Sequence, residues 1–301
     1  MTESVPPATA STPAAGPTSL YGYEIVQTIG EGAGSVVYAV SDQQTKQLYA
    51  LKQVAVKTDK QARFAEQLIN EYDVAKNINS PLVRRVFDLK VTRTLLRKVT
   101  EAAMVMELVD GTPLDQCPPK NFNETIDIFV QVATALGSVH FAGFIDCDLK
   151  PNNILVCADG SIKLIDLGQA CPPLTVKQRI QGTPDYISPE QVKCEPVTVR
   201  TDVYNFGATL YWALCGKPLP TLFTLKKSEN SILYEQGIPS PQELNPAVPL
   251  PLSNLTMECV RINPAKRPGD MNEISRRLEL MKLGFARANG GSKAGVKVVS
   301  Q

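Results

Sequence analysis

Asp148-Leu149-Lys150-Pro151-Asn152-Asn153-Ile154-Leu155, followed by Leu164-Ile165-Asp166-Leu167-Gly168, decides how this 301-residue chain is read. One short loop carries a carboxylate, an ammonium and an amide, and a second carboxylate stands just beyond the next apolar strand. Moving a phosphoryl group calls for that set. One carboxylate orients the attacking hydroxyl, the lysine neutralises the phosphate, and the amide and second carboxylate hold Mg²⁺. Asp, Pro and Asn are ordinary turn formers, so any fragment of the octapeptide could be a plain loop. The complete octapeptide with Asp-Leu-Gly at this distance makes coincidence a poor account.

Upstream, Ile29-Gly30-Glu31-Gly32-Ala33-Gly34-Ser35-Val36-Val37 is a glycine-rich run, where a missing Cβ lets the backbone approach phosphates. A dinucleotide-binding turn is the rival reading, but it needs a helix next, and Val36-Val37-Tyr38-Ala39-Val40 reads as a strand. Residues 23–29, 36–41 and 48–54 form an antiparallel meander, and residues 60–78 have helical periodicity. Two strands at 83–90 and 102–107 lead to a break at Val109-Asp110-Gly111. Beyond it lie a helix from Asn123 to Phe141 ended by Gly143, short strands around Ile154 and Ile162, and helices at 201–214, 228–236, 252–262 and 270–282. A β-rich half followed by an α-rich half predicts an α+β protein in two lobes.

The hydrophobic fraction of 43% suits a sizeable core, and Lys+Arg 31 against Asp+Glu 30 shows no basic excess aimed at nucleic acid. Seven scattered cysteines without a C-x-x-C pair predict reduced thiols and a cytoplasmic setting rather than a disulfide frame or zinc site. The single histidine, His140, reads as a packing residue on a helix. No apolar run has the length of a membrane span, and no secretory signal pattern opens the chain. Residues 1–20, of Pro, Ala, Thr and Ser, and the Gly/Ser/Lys-rich residues 285–301 read as disordered flanks.

These stretches resemble those of eukaryotic-like (Hanks-type) serine/threonine protein kinases of the bacterial kind, over nearly the whole chain outside its flanks. The resemblance implies a two-lobed protein-kinase-like fold in residues 21–284, with a β-rich N-lobe (21–108) holding one main helix and a helical C-lobe (109–284). It implies ATP and Mg²⁺ (with Mn²⁺ as alternative metal) and protein Ser/Thr hydroxyls as substrate. Oligomeric state is left open. Lysine in Asp-x-Lys-Pro is the Ser/Thr form. Asp148 would orient the substrate hydroxyl and late in the reaction deprotonate it, and Lys150 would neutralise the transferring phosphate. Asn153 and Asp166 would hold metal. Lys52, in Tyr49-Ala50-Leu51-Lys52, would pair the α- and β-phosphates and be anchored by Glu71, although a lone strand lysine is usually a solvated charge. The nucleotide would rest on residues 29–35, Val37, Ala50, the gatekeeper Met106, the backbone of Glu107 and Val109, and Leu155. Gly182-Thr183-Pro184-Asp185-Tyr186-Ile187-Ser188-Pro189-Glu190 resembles the end of an activation segment. There Thr183 would touch Asp148 and Lys150, Glu190 would pair with Arg267, and Asp202 would brace the catalytic loop.

The pattern has departures. Ser35 replaces the third glycine. Asp146-Cys147 replaces the family's His-Arg, and Cys147 cannot pair with a phosphorylated residue as that arginine does, so activity is expected without activation-segment phosphorylation. Asp146 should lie near Asp202, and two charged carboxylates in a dry space repel. One must therefore be neutral, paired or bonded to N–H groups. With Ala75 small in the internal stack, this predicts a less rigid active state. Cys147, beside an anion, reads as inert rather than redox-active. The rival function is a pseudokinase, an ATP-binding scaffold without catalysis. A small-molecule kinase is expected to lack the framework of residues 182–190 and Arg267.

Overall fold

A computed structural model describes residues 19–32, 34–221, 223 and 237–291. Its first half is an antiparallel sheet of β1 (Ser19–Leu20), β2 (Tyr23–Glu31), β3 (Val36–Asp42), β4 (Leu48–Ala55), β5 (Val86–Arg93) and β6 (Val99–Met106), in the order β1-β2-β3-β4-β6-β5. Helix α1 (Asp59–Ala75) starts where Thr58 accepts a hydrogen bond from the Gln61 N–H. Its Ala65 and Leu68 pack on Ala50, Val54, Ala102 and Met104 of β4 and β6.

The second half holds a small sheet, β7 (Gly111–Pro113), β8 (Ile154–Cys157) and β9 (Ile162–Leu164), and the helices α2 (Phe122–Phe141), α3 (Pro189–Val192), α4 (Val199–Cys215), α5 (Pro241–Leu244), α6 (Leu250–Cys259) and α7 (Met271–Gly291). Asn121 caps α2 by accepting from the Glu124 N–H, and Gly143 follows the helix with φ of 88°. Helix α4 runs through the core, with Val203, Phe206 and Leu210 fully buried against α2 and α6. Gly207 permits this approach: a Cβ there would stand 2.4 Å from that of Cys259. The arrangement is the α+β, two-lobed fold expected from the motifs.

The structure moves several predicted boundaries. Ser19–Leu20 pairs with β2 through a turn at Tyr21-Gly22, both at positive φ, inside the stretch read as disordered. The strand predicted at 83–90 begins at Val86, because the segment before it bonds to the other half: Arg84 N–H donates to the Leu164 carbonyl and Leu164 N–H to that of Leu82. Its partner starts at Val99, because Val99 and Glu101 pair with Arg93 and Thr92 beside a turn that leaves Leu95 and Leu96 exposed. Helix α7 runs to Gly291, past the expected end at 282. The helix predicted at 228–236, residues 1–18 and residues 292–301 lie outside the described residues.

Candidate active site

Lys52 projects from β4 and meets Glu71 of α1, with Nζ 2.8 Å from Oε2. The second glutamate oxygen is taken by Arg84, at 3.0 Å. Lys52 also reaches toward Asp166, at 3.9 Å. Burial alone would push the Lys52 ammonium down, but Glu71 and Asp166 outweigh it and hold the lysine charged. Burial likewise acts to raise Asp166, and Lys52, Lys150 and Arg84 overcome it, leaving the carboxylate ionised. Asp166 sits at φ of 64°, and its side chain keeps 44% of its surface open to the cleft. Asn70 ties α1 to this loop by donating to the carbonyls of Gly168 (3.2 Å) and Ala170 (2.9 Å).

Below the cleft, Asp148 is held at both oxygens. The Thr183 hydroxyl donates to Oδ1 (2.7 Å) and Lys150 Nζ to Oδ2 (2.9 Å), while Lys150 also donates to Thr183 (3.0 Å). Asn153 is buried and its Nδ2 donates to the Asp148 carbonyl at 3.1 Å, which directs the amide oxygen away from that bond. An amide oxygen and the Asp166 carboxylate are hard oxygen donors of the kind Mg²⁺ takes alongside substrate phosphates. Among the described residues no group of three or more His, Cys, Asp or Glu side chains is placed to hold a metal ion.

A cavity of about 540 Å³ between the halves is lined by Ile29, Val37, Ala50, Glu107, Val109 and Leu155, with Arg84 at its wall. Met106 is buried at the end of β6. The Glu107 N–H donates to the Arg85 carbonyl, so a base would meet Glu107 through its carbonyl. Gly32 N–H closes the β2–β3 turn onto the Ser35 carbonyl (2.8 Å); Ala33 lies outside the described residues. Gly34 rests on Phe64 of α1, where a Cβ would come within 2.4 Å of the ring. Gly30 and Glu31 close β2 and pair with Val37 and Val36. Two larger hollows, of about 790 and 760 Å³, lie against α2 and against the outer face of α1 and, apart from Asn70 beside the second, contain none of these groups.

The loop is braced from below. Asp202 accepts from the N–H groups of Asp146 and Cys147, each at 2.8 Å, and His140 Nε2 lies 2.7 Å from its Oδ2. His140 is therefore a polar brace and not the packing residue that its helix position suggested. Asp146 is fully buried, and neither carboxyl oxygen has a partner among the described residues. Burial, then the nearby Asp202, holds its acid well above the ordinary carboxylate range, so Asp146 is the neutral member of the pair. The native state thus keeps a proton that an unfolded carboxyl releases near pH ~4. That stabilising contribution is whole below pH ~4 and drains away as pH rises toward the native value. Asp146→Asn should raise Tm at pH 7 by about 2–4 °C, with the difference closing toward pH 4 in a thermal-melt series. An unchanged or lowered Tm at pH 7 would contradict the neutral-acid assignment.

Glu190 and Arg267 make a two-bond fork, 2.7 and 2.9 Å, almost without solvent exposure. Sequence reasoning overlooked Arg84 and Asn70. The trace of Arg84 was a charge set between Val83 and Val86 in an apolar stretch, whereas Asn70 left no local signal.

The protein kinase domain family matches residues 23–277. A probable serine/threonine-protein kinase of Clostridium acetobutylicum is 30% identical over 276 residues, covering 87% of this chain and 40% of the relative. The serine/threonine-protein kinase PknA of Corynebacterium glutamicum is 28% identical over 280 residues, covering 87% of this chain and 56% of the relative. PknD of Chlamydia pneumoniae is 26% identical over 296 residues, covering 85% and 31%. The chain therefore spans roughly a third to a little over half of these relatives' lengths.

Proposed function

Since this chain belongs to the protein kinase domain family, we propose that it transfers the γ-phosphoryl group of ATP to serine and threonine hydroxyls of protein substrates. Residues 21–284 act as the catalytic unit, with the lobes meeting at 108–109. The observation that carries this reading is the Asp148–Lys150–Thr183 triangle facing the Lys52–Glu71 pair and Asp166. Bound ATP supplies the phosphoryl group, and a divalent cation, Mg²⁺, neutralises its oxygens. Lys52 would position the α- and β-phosphates, and Asn153 and Asp166 would hold the metal. Lys150 meets the charge on the transferring group. Asp148 aligns the attacking hydroxyl and accepts its proton late in the transfer. The wall of Val37, Ala50 and Leu155 sandwiches the base, and the residues of the 182–190 segment seat the peptide. That framework argues against a small-molecule substrate. The pseudokinase alternative draws no support from relatives that are named kinases. No helix among the described residues is long and apolar enough to cross a membrane.

Incubating the protein with γ-labelled ATP, Mg²⁺ and a Ser/Thr-rich protein mixture should label protein on serine and threonine. Labelling that is absent with bound nucleotide intact would favour the scaffold instead. A second expectation concerns Thr175, whose hydroxyl is already engaged with the Pro172 carbonyl at 2.7 Å. With Cys147 in the arginine position, no cation from that site is available to a phosphate on the segment. Thr175→Ala should leave the rate within about twofold of wild type, a change of under ~0.5 kcal/mol. A collapse in rate, with Tm unchanged, would contradict this expectation.

A further inference from the structure

Two of the seven unbridged cysteines face each other where the catalytic loop meets the activation segment: Cys147 Sγ lies 3.8 Å from Cys171 Sγ. Both are buried, in a small apolar pocket with Ile145 and Val197. The strands of chain that carry them are already fastened, since Ile145 and Cys171 exchange both backbone hydrogen bonds, at 2.8 and 3.0 Å. We propose that Cys147 and Cys171 are a peroxide-reactive dithiol that closes to a disulfide across these two segments.

The two sulfurs have different roles. Cys171 is the less buried, 8% against 2%, and its thiol is pulled down to about 6 by the hydrogen bond from Cys147, against burial and with help from Lys177. Cys147 is pushed up by the same bond and by burial, so it keeps the proton. The neighbouring carboxylates that made Cys147 look inert leave the attacking role to its partner. The Cys171 thiolate attacks a hydroperoxide: an S–O bond forms, the O–O bond breaks, and the leaving oxygen departs as alcohol or water after taking a proton. Sulfur loses two electrons and the peroxide gains them. Cys147 sulfur then attacks the sulfenic sulfur, an S–S bond forms, the S–O bond breaks, and the departing hydroxide takes the Cys147 proton to leave as water. Bond formation draws the sulfurs from contact to about 2 Å. Cys147 is held at φ of 67°, its N–H bonded to Asp202 and its carbonyl to Gln191 at 2.7 Å, and Asp148 is the next residue. The displacement therefore falls on the catalytic aspartate.

The test uses the full chain treated with hydrogen peroxide, alkylated, digested and weighed, with and without dithiothreitol. The expected product is a reducible Cys147–Cys171 crosslinked peptide, absent in Cys171→Ser and in Cys147→Ser. Phosphoryl transfer should fall about a hundredfold on oxidation, the scale of small misplacements at a reacting centre, and return on reduction. In either serine variant the ratio of treated to untreated rate should stay near one. Sulfenic or sulfinic acid building up on Cys171 with no crosslink would overturn the proposal, as would oxidation confined to other cysteines. The mass readout needs no kinase activity, so a crosslinked but inactive wild type would refute only the proposed function.

Discussion

Asp148→Ala should lower phosphoryl transfer by about 10³-fold, within the usual range for a positioned proton acceptor. The loss comes from geometry as well as basicity. Thr183 and Lys150 fix the two carboxylate oxygens from opposite partners, so the group is set before substrate arrives. The expected signature is a fall in kcat with nucleotide affinity little changed, because Lys52, Glu71 and Asp166 are untouched. Tm should stay near that of wild type, since the aspartate side chain is partly open and Lys150 retains Thr183. Asp148→Asn keeps the size and loses the charge, so it should be nearly as slow. Comparable rates in the alanine variant and wild type would remove Asp148 from the reaction.

Arg267→Ala should destabilise the protein by about 3–5 kcal/mol, the range for stranding one half of a buried pair. Its guanidinium holds Glu190 through two bonds and also donates to the carbonyls of Arg200 (2.7 Å), Arg261 (2.7 Å) and Ile262 (3.0 Å), with the Tyr204 ring 5.0 Å away. Deleting it leaves the buried Glu190 carboxylate without its charged partner. Thr201 still donates to Glu190 at 2.9 Å, which softens the loss without replacing the charge. Arg267→Lys keeps the charge but not the planar fork, so it should fall between. Urea unfolding of the three proteins measures this. A shift below ~1 kcal/mol for alanine would mean the pair is not the pin that its burial implies.

The fold and the family were legible in motifs that are local in the sequence. The octapeptide at Asp148, the glycine run and the Thr183 segment each carry their meaning within a few residues. The pairings of Lys52 with Glu71 and Glu190 with Arg267 were legible only through family resemblance, because nothing in the spacing joins residues 19 and 77 positions apart. His140 escaped because its partner, Asp202, comes from a distant helix, and one imidazole on an apolar face has no distinguishing neighbour in the chain. The Asp146 conflict was foreseeable as a conflict. Which carboxyl yields was not, since the backbone N–H groups that favour Asp202 exist only after folding. Cys147 reads as a poor nucleophile and its thiol is pushed up in the structure, but its contact with Cys171, 24 residues on, left no local trace.

Glu71 gives one oxygen to Lys52 on the sheet and the other to Arg84, on a segment bonded to β9, while Asn70 one residue before it grips the loop after Asp166. Helix α1 is thereby moored at three points to separate parts of the molecule. Swinging it outward would require all three moorings to let go together. Small molecules that wedge behind a displaced helix would then find little room here, whereas compounds shaped to the closed cleft would meet a ready-made seat.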